Sequence, residues 1–196
     1  MRTEKPRASS VRAGRLPLLG CLLASSCYLG SARDAKLSEL TIDNGWELVG
    51  NVPLVLQVAR EDCGAAALAM VLGYWRRPVT RDEITAANPS VPERGIKAAN
   101  LRQLARQQGL QAFLIQGQQA DLGREIHARH PVIVGLMKRF ILRNYPHYEV
   151  VVGINRQRQS ILTLDPAHGL RVNGRDGFST EWAKAGQLAL IVFPSP

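Results

Sequence analysis

Three side chains in this chain of 196 residues combine a thiol, an imidazole and a carboxylate, each where a predicted element begins or ends. Cys63 opens the segment Cys63–Trp75, which is apolar on nearly all sides and so predicts a buried helix. The free N–H groups and the positive dipole end of such a helix stabilise a thiolate. Cys63 is therefore a candidate nucleophile.

An imidazole and a carboxylate follow in the second half of the chain. His147 stands at the start of the most hydrophobic predicted strand, Tyr148–Ile154, and Asp165 ends the next one, Ser160–Leu164. If these strands pair as a hairpin, their short loop brings His147 and Asp165 to the same end of the sheet. A carboxylate in that position holds an imidazole in the tautomer that accepts a proton from a thiol.

A fourth candidate is Gln57, six residues before Cys63. Its amide N–H and the backbone N–H of Cys63 are candidate donors to a developing oxyanion. Each of these residues also has an ordinary structural interpretation: a core thiol, a surface histidine, a turn at Asp-Pro. Their order and their placement on the elements favour the chemical interpretation of the set.

These residues carry a resemblance to a known family. The segments Gln57–Leu68, His147–Val151 and Asp165–Gly169 resemble the three motifs of the double-glycine leader peptidases, which are bacteriocin-processing cysteine peptidases with a papain-like fold. The resemblance covers residues from about Asn51 to the C-terminus. It implies that Cys63 is the nucleophile, His147 the general base, Asp165 the orienting residue and Gln57 the oxyanion-hole donor. It also implies a peptide substrate with small residues such as Gly-Gly before the cleaved bond.

The predicted elements agree with an α+β domain in which a helical N-terminal half packs on a mostly antiparallel sheet. Helices are predicted from the apolar segment at Cys63, from the Thr80–Glu83 capping box, between Gly95 and Gly109, and over Ala120–Arg129. Trp182 is expected to anchor a late helix in the core. Strands are predicted at Ala112–Ile115, Pro131–Met137, Tyr148–Ile154, Ser160–Leu164 and Leu188–Phe193.

The N-terminus has the layout of an export signal. Five basic residues precede the apolar run Leu16–Ala24, and small residues follow it. The segment ending at Cys27 also resembles a bacterial lipobox, with an earlier match at Cys21, so a lipid anchor and a plain cleaved signal both remain open. We therefore expect a signal in 1–27, an extension in 28–50 and a peptidase domain in 51–196, with an exported product that is periplasmic or membrane-anchored.

The composition and motifs limit the classes of ligand that this chain is expected to bind. Five of the basic residues, against Glu4, lie in the first 27 residues and supply +4 of the net charge of +9, and the others are scattered. Such scatter favours a solvated surface over a nucleic-acid site. His127, His130 and His168 lack metal-ligand spacing and are interpreted as surface residues, and no glycine-rich phosphate loop occurs. We expect no cofactor and no metal.

Two alternatives to a leader-type peptidase remain. The domain would bind peptides without cutting them, as a module of a secretion or assembly system, or it would be a cell-wall amidase or γ-glutamyl peptidase on a related fold. The Asp-Pro-Ala-x-Gly turn after Asp165 argues against the second alternative.

Overall fold

A single twisted antiparallel sheet forms the frame of the molecule. The computed structural model describes Met1 and residues 32–88, 95–140 and 143–195; the predicted signal in 1–27 lies outside the described residues beyond Met1. The strands are β1 (Ala32–Asp34), β2 (Trp46–Leu48), β3 (Leu110–Gln116), β4 (Val132–Phe140), β5 (Arg143–Asn155), β6 (Ser160–Asp165), β7 (Gly169–Gly174) and β8 (Leu188–Pro194). The helices are α1 (Cys63–Tyr74), α2 (Arg81–Ala87), α3 (Ala98–Gln107), α4 (Gln119–His127) and α5 (Arg175–Lys184).

The strand order is β1-β7-β6-β5-β4-β8-β3, with β2 paired to β5. Every one of these pairings is antiparallel. The five strands predicted from apolar runs are all present, and the predicted α+β class is confirmed. The predicted hairpin is also present, because β5 and β6 are direct neighbours, with a bulge between Val151 and Gly153.

Strands β1, β2 and β7 were not predicted. They are short and carry polar residues. Strands β1 and β2 also depend on partners far away in sequence, such as Ala32 with Asn173 and Trp46 with Asn155. Strand β5 also begins earlier than expected, at Arg143. His147 therefore lies inside this strand and not at its start.

Helix α1 is buried along almost its whole length, as its all-apolar sequence predicts, and its first ten residues have little or no exposure. Asp62 stands at the N-cap position of α1, but its side chain does not cap the helix. Asp62 is itself in the helical region, so its carboxylate turns back and accepts the backbone N–H of Ala59 at 3.1 Å. It thereby closes the 3-10 turn Arg60–Asp62 that precedes α1.

The sheet separates two apolar layers. One face packs against α1 and α3 and contains Ile133, Val150 and Leu162. The other face packs against α4 and α5 and contains Val134 and Leu136. In the described part of the chain, no helix has the length and apolar character needed to cross a bilayer.

The Thr80 capping box is confirmed, since the Thr80 hydroxyl accepts the N–H of Glu83 at 3.2 Å and the Glu83 carboxylate accepts the N–H of Thr80 at 2.8 Å. Trp182 is the expected core anchor. Its ring is 1% exposed, packs beside Phe178 and donates its indole N–H to the carbonyl of Leu188 at 2.9 Å. This contact fixes α5 against the sheet.

We expect Trp182→Ala to lower the free energy of unfolding by about 3–5 kcal/mol, because it removes a large buried ring and a hydrogen bond. Urea denaturation measures the change. The control is Phe113→Ala, at a ring that is 44% exposed, with an expected loss of about 1 kcal/mol or less. Equal losses in the two variants would contradict the assignment of Trp182 as an anchor.

Candidate active site

A buried imidazole and a buried carboxylate meet at one end of the β5–β6 hairpin. His147 Nε2 lies 2.7 Å from Asp165 Oδ1, and the two residues are 5% and 2% exposed. Strands β5 and β6 continue from this point into the core through apolar residues. The paired strands therefore fix the positions of His147 and Asp165. In such an environment a charged hydrogen bond is poorly screened and correspondingly strong.

The thiol of Cys63 reaches the same imidazole. Cys63 is the first residue of α1, is 3% exposed, and lies close enough to His147 for its side chain to raise the pKa of the imidazole. Because Nε2 faces Asp165, the imidazole stands between the sulfur and the carboxylate. The structure thus brings together three of the four residues singled out in the sequence.

The environment sets the charge on the ring. Burial alone acts to lower the pKa of His147, but the hydrogen bonds and charges of Asp165 and Cys63 outweigh it and raise the pKa to about 10. The imidazolium form is thus favoured across neutral pH.

Three groups contact the carboxylate of Asp165 within hydrogen-bond distance. Besides His147 it accepts the backbone N–H of Ala167 at 2.8 Å, and its Oδ2 lies 2.8 Å from Nδ1 of His168. Burial opposes the charge, but the two imidazoles and the backbone N–H lower the pKa of Asp165 well below its usual range. The carboxylate is therefore ionised and fixed in orientation.

Gln57 lies close to this loop. Its backbone N–H donates to the carbonyl of Pro166 at 2.9 Å, which joins the segment before α1 to the residue after Asp165. Its side-chain oxygen is buried and has no hydrogen-bond partner among the described residues. That oxygen is not committed to a contact that holds the fold.

Two aromatic residues on β5 tie the sheet to the start of α1. The ring of Tyr148 packs so closely on Gly64 that a Cβ at Gly64 would lie 3.1 Å from it, which explains a glycine directly after Cys63. Burial and the charge of Cys63 raise the pKa of Tyr148 to about 12. The guanidinium of Arg60 lies 4.3 Å from the ring centroid of Tyr145, a cation–π contact across the same junction.

The three remaining histidines differ from one another. His127 is exposed, as predicted, beside Glu47. The surface interpretation is wrong for His130, which is half-buried and stacked on Phe193, and incomplete for His168, which is 47% exposed but bound to Asp165. The position of His168 three residues after Asp165, in a turn, was the available signal.

The fold and the site define a papain-like cysteine peptidase, and the comparisons agree. Residues 51–196 match the sequence model of the Peptidase C39 family, and the chain belongs to that family. The predicted membership among double-glycine leader peptidases is thereby confirmed. Strands β1 and β2 lie before the matched residues and extend the sheet.

The curated relatives are named as transport and processing proteins. Over 142 residues the chain is 27% identical to "Lactococcin transport/processing ATP-binding protein LcnC-like" of Lactococcus lactis subsp. lactis (strain IL1403). The aligned region covers 71% of this chain but 18% of that protein. The chain thus spans less than a fifth of the curated relatives it matches.

Solved structures share the fold. One is a double glycine motif protease from an AMS/PCAT transporter in complex with the leader peptide, with a TM-score of 0.61, 25% identity, and coverage of 74% of this chain and 93% of that chain. Another is the peptidase domain of Streptococcus ComA, with a TM-score of 0.62, 22% identity, and coverage of 74% and 100%. A putative C39-like peptidase from Bacillus anthracis has a TM-score of 0.62, 18% identity, and coverage of 76% and 97%. At 22% and 18% identity, the last two show the fold alone.

The pair makes stability depend on pH in two windows. The pKa of His147 rises from 6.5 to about 10 on folding, so its contribution is complete below pH 6.5 and is lost as the pH rises towards 10. The pKa of Asp165 falls below 3.8, so its contribution is complete above pH 3.8 and is lost as the pH falls.

We therefore expect the unfolding free energy of the wild type to decline between pH 6.5 and about 10, and this decline to be much smaller in His147→Gln. Urea denaturation across the pH range measures both proteins. The difference between them isolates the imidazole from other groups that titrate at high pH. Parallel curves would contradict a raised pKa at His147.

Proposed function

We propose that this protein is an exported cysteine peptidase that cleaves peptide bonds after small residues, with Gly-Gly as the expected sequence. Cys63, His147 and Asp165 form its triad and Gln57 supplies an oxyanion donor. The observation that carries the proposal is the imidazole of His147, held between the thiol of Cys63 and the carboxylate of Asp165.

In the first step the sulfur of Cys63 attacks the carbonyl carbon of the scissile bond. Before this attack, the proton of the thiol passes to the ring nitrogen of His147 that faces the sulfur, and Asp165 stabilises the imidazolium that results. The raised pKa of His147 keeps the ring in its imidazolium form over a wide pH range.

The carbonyl oxygen gains a negative charge in the tetrahedral intermediate. The backbone N–H of Cys63, at the first turn of α1, has no acceptor within its own helix and is a suitable donor. The side-chain N–H of Gln57 is the second donor, supported by the backbone tether of Gln57 to Pro166. The hydrogen bonds from both donors would strengthen as the negative charge on the carbonyl oxygen develops.

Collapse of the intermediate breaks the C–N bond. His147 gives its proton to the leaving amine, and a thioester joins Cys63 to the N-terminal part of the substrate. Water then donates a proton to His147 and attacks the thioester. The acid product leaves, and the thiol of Cys63 is restored.

The enclosure of the site supports a preference for small residues. Cys63 and His147 are 3% and 5% exposed, so only a substrate backbone with little or no side-chain bulk approaches the sulfur closely. Glycine meets this requirement because it has no Cβ. A double glycine motif protease is also among the structural relatives, and it was crystallised with a leader peptide.

The site of action is proposed from the first 27 residues. Their basic start, short apolar run and small residues favour export. Export implies a peptide or protein substrate met outside the cytoplasm and is compatible with a role beside a secretion or assembly machinery. The relatives named as transport and processing proteins belong to such systems.

We expect the wild type to cleave a synthetic peptide after Gly-Gly and to cleave its Leu-Leu counterpart poorly, as followed by mass spectrometry.

Cys63→Ser should lower kcat/KM by about a thousandfold or more while the melting temperature changes little, because it removes the nucleophile and keeps its volume. His147→Ala should slow alkylation of Cys63 by iodoacetamide. His127→Ala, at an exposed imidazole, is the matched control and should change neither.

Three results would contradict this proposal. Alkylation of folded protein that is indifferent to His147 would favour a peptide-binding module. Release of fragments from peptidoglycan, with no cleavage of the peptide, would favour the amidase alternative. A large loss of stability in Cys63→Ser would assign the thiol to packing.

For localisation, we expect the mature protein to begin at or shortly after Cys27, as measured by intact mass after cell fractionation. A diacylglyceryl mass on Cys27 in the membrane fraction would identify a lipoprotein, and a soluble form without it would identify a cleaved signal. Cys27→Ala and Cys21→Ala distinguish the two lipobox matches. An unprocessed chain in the cytosol would contradict export.

A further inference from the structure

Three charged side chains are buried together on the sheet beneath the imidazole. Lys138 on β4, Glu149 on β5 and Glu181 on α5 are 1%, 0% and 8% exposed. The ammonium of Lys138 lies 2.7 Å from Glu149 Oε1 and 2.8 Å from Glu181 Oε2. One cation thus holds two carboxylates in an apolar layer.

Glu149 is the member that faces the active site. It follows His147 by two residues on β5, so both side chains lie on the same face of the sheet. A carboxylate oxygen of Glu149, a ring nitrogen of His147 and a carboxylate oxygen of Asp165 lie within 4.8 Å of one another. The imidazole therefore has a second carboxylate close to it.

The contacts of Glu149 leave it able to act on the ring. Oε1 of Glu149 lies 2.7 Å from the ammonium of Lys138 in an ion pair, and Oε2 has no hydrogen-bond partner among the described residues. Burying charges costs free energy, and apolar replacements of buried ion pairs are commonly neutral or stabilising. Val150, Val151 and Val152 follow in the strand, so fold stability alone does not explain a glutamate here.

We propose that Glu149 is a positioning residue whose buried negative charge, held by Lys138, stabilises the imidazolium form of His147. This inference rests on the proposed function, since it assigns the charge a role in maintaining the thiolate–imidazolium pair. Asp165 orients the ring through a hydrogen bond. Glu149 adds a charge that is close to the ring and shielded from water.

The ionisable groups around His147 come from every element packed at this junction. They are Cys63 on α1, Arg60 before it, Lys138 on β4, Tyr145 and Glu149 on β5, Asp165 and His168 at the end of β6, and Glu181 on α5.

Glu181 differs from Glu149. Burial raises the pKa of Glu181, although Lys138 opposes this effect. Of the two glutamates, only Glu149 belongs to the group that has its ligand atoms within 4.8 Å of one another around His147. Glu149 is therefore the carboxylate tested.

The test is an NMR titration of the His147 ring in protein labelled with ¹⁵N-histidine. The chain has four histidines, and His147→Gln identifies the relevant signals. We expect Glu149→Gln to lower the pKa of His147 by about one unit, because it removes a nearby negative charge and keeps the side-chain shape. The alkaline limb of kcat/KM should move to lower pH by a similar amount.

The matched control is Glu125→Gln. Glu125 also sits beside an imidazole, with Oε2 at 2.8 Å from Nδ1 of His130, but outside the cluster. It should alter the signals of His130 and leave those of His147 unchanged. A His147 pKa in folded Glu149→Gln within about 0.2 units of the wild type would overturn the proposal.

If Glu149→Gln does not fold because Lys138 loses one of its carboxylate partners, the double variant Lys138→Gln with Glu149→Gln removes both charges. The proposal requires the carboxylate to outweigh the ammonium, so the pKa of His147 should still fall, by less. A pKa at or above that of the wild type would overturn it. The titration does not need turnover: an expected shift without peptide cleavage would reject the proposed function alone.

Discussion

The hydrogen bond between His147 and Asp165 is the interaction on which the rest of the site depends. It places the ring between carboxylate and thiol, and it keeps a positive charge inside an apolar environment. The antiparallel pairing of β5 and β6 supplies the geometry, because a hairpin brings residues distant in sequence to the same end of the sheet. The N-terminal end of helix α1 lies at the same point and places Cys63 beside the ring.

Several separate contacts keep that approach fixed. Tyr148 packs on Gly64, Arg60 covers Tyr145, and the N–H of Gln57 holds the carbonyl of Pro166. Each joins the segment around Cys63 to the hairpin or to the loop after it. The segment around Cys63 therefore has little freedom to move relative to the hairpin. This suits chemistry that requires reacting groups to be held in position.

Sequence patterns predicted the parts that depend on local order. The all-apolar run after Cys63, the capping box at Thr80 and the apolar strands were recognisable because their residues interact with near neighbours. Strand β7 and the partnership of His168 with Asp165 were missed because they depend on distant pairing or on a turn. Glu149 is also visible in the sequence as a carboxylate directly before three valines in a predicted core strand, which is costly unless a cation such as Lys138 accompanies it.

The low accessibility of Cys63 bears on its redox chemistry. Thiol–disulfide exchange requires a disulfide to approach the sulfur in line with its own S–S bond. Walls that leave 3% of Cys63 exposed obstruct a bulky disulfide such as oxidised glutathione far more than a small oxidant such as hydrogen peroxide. The fold thus shields the thiol of Cys63 from mixed-disulfide formation by shape, and leaves sulfenic acid formation as the more accessible route of oxidation.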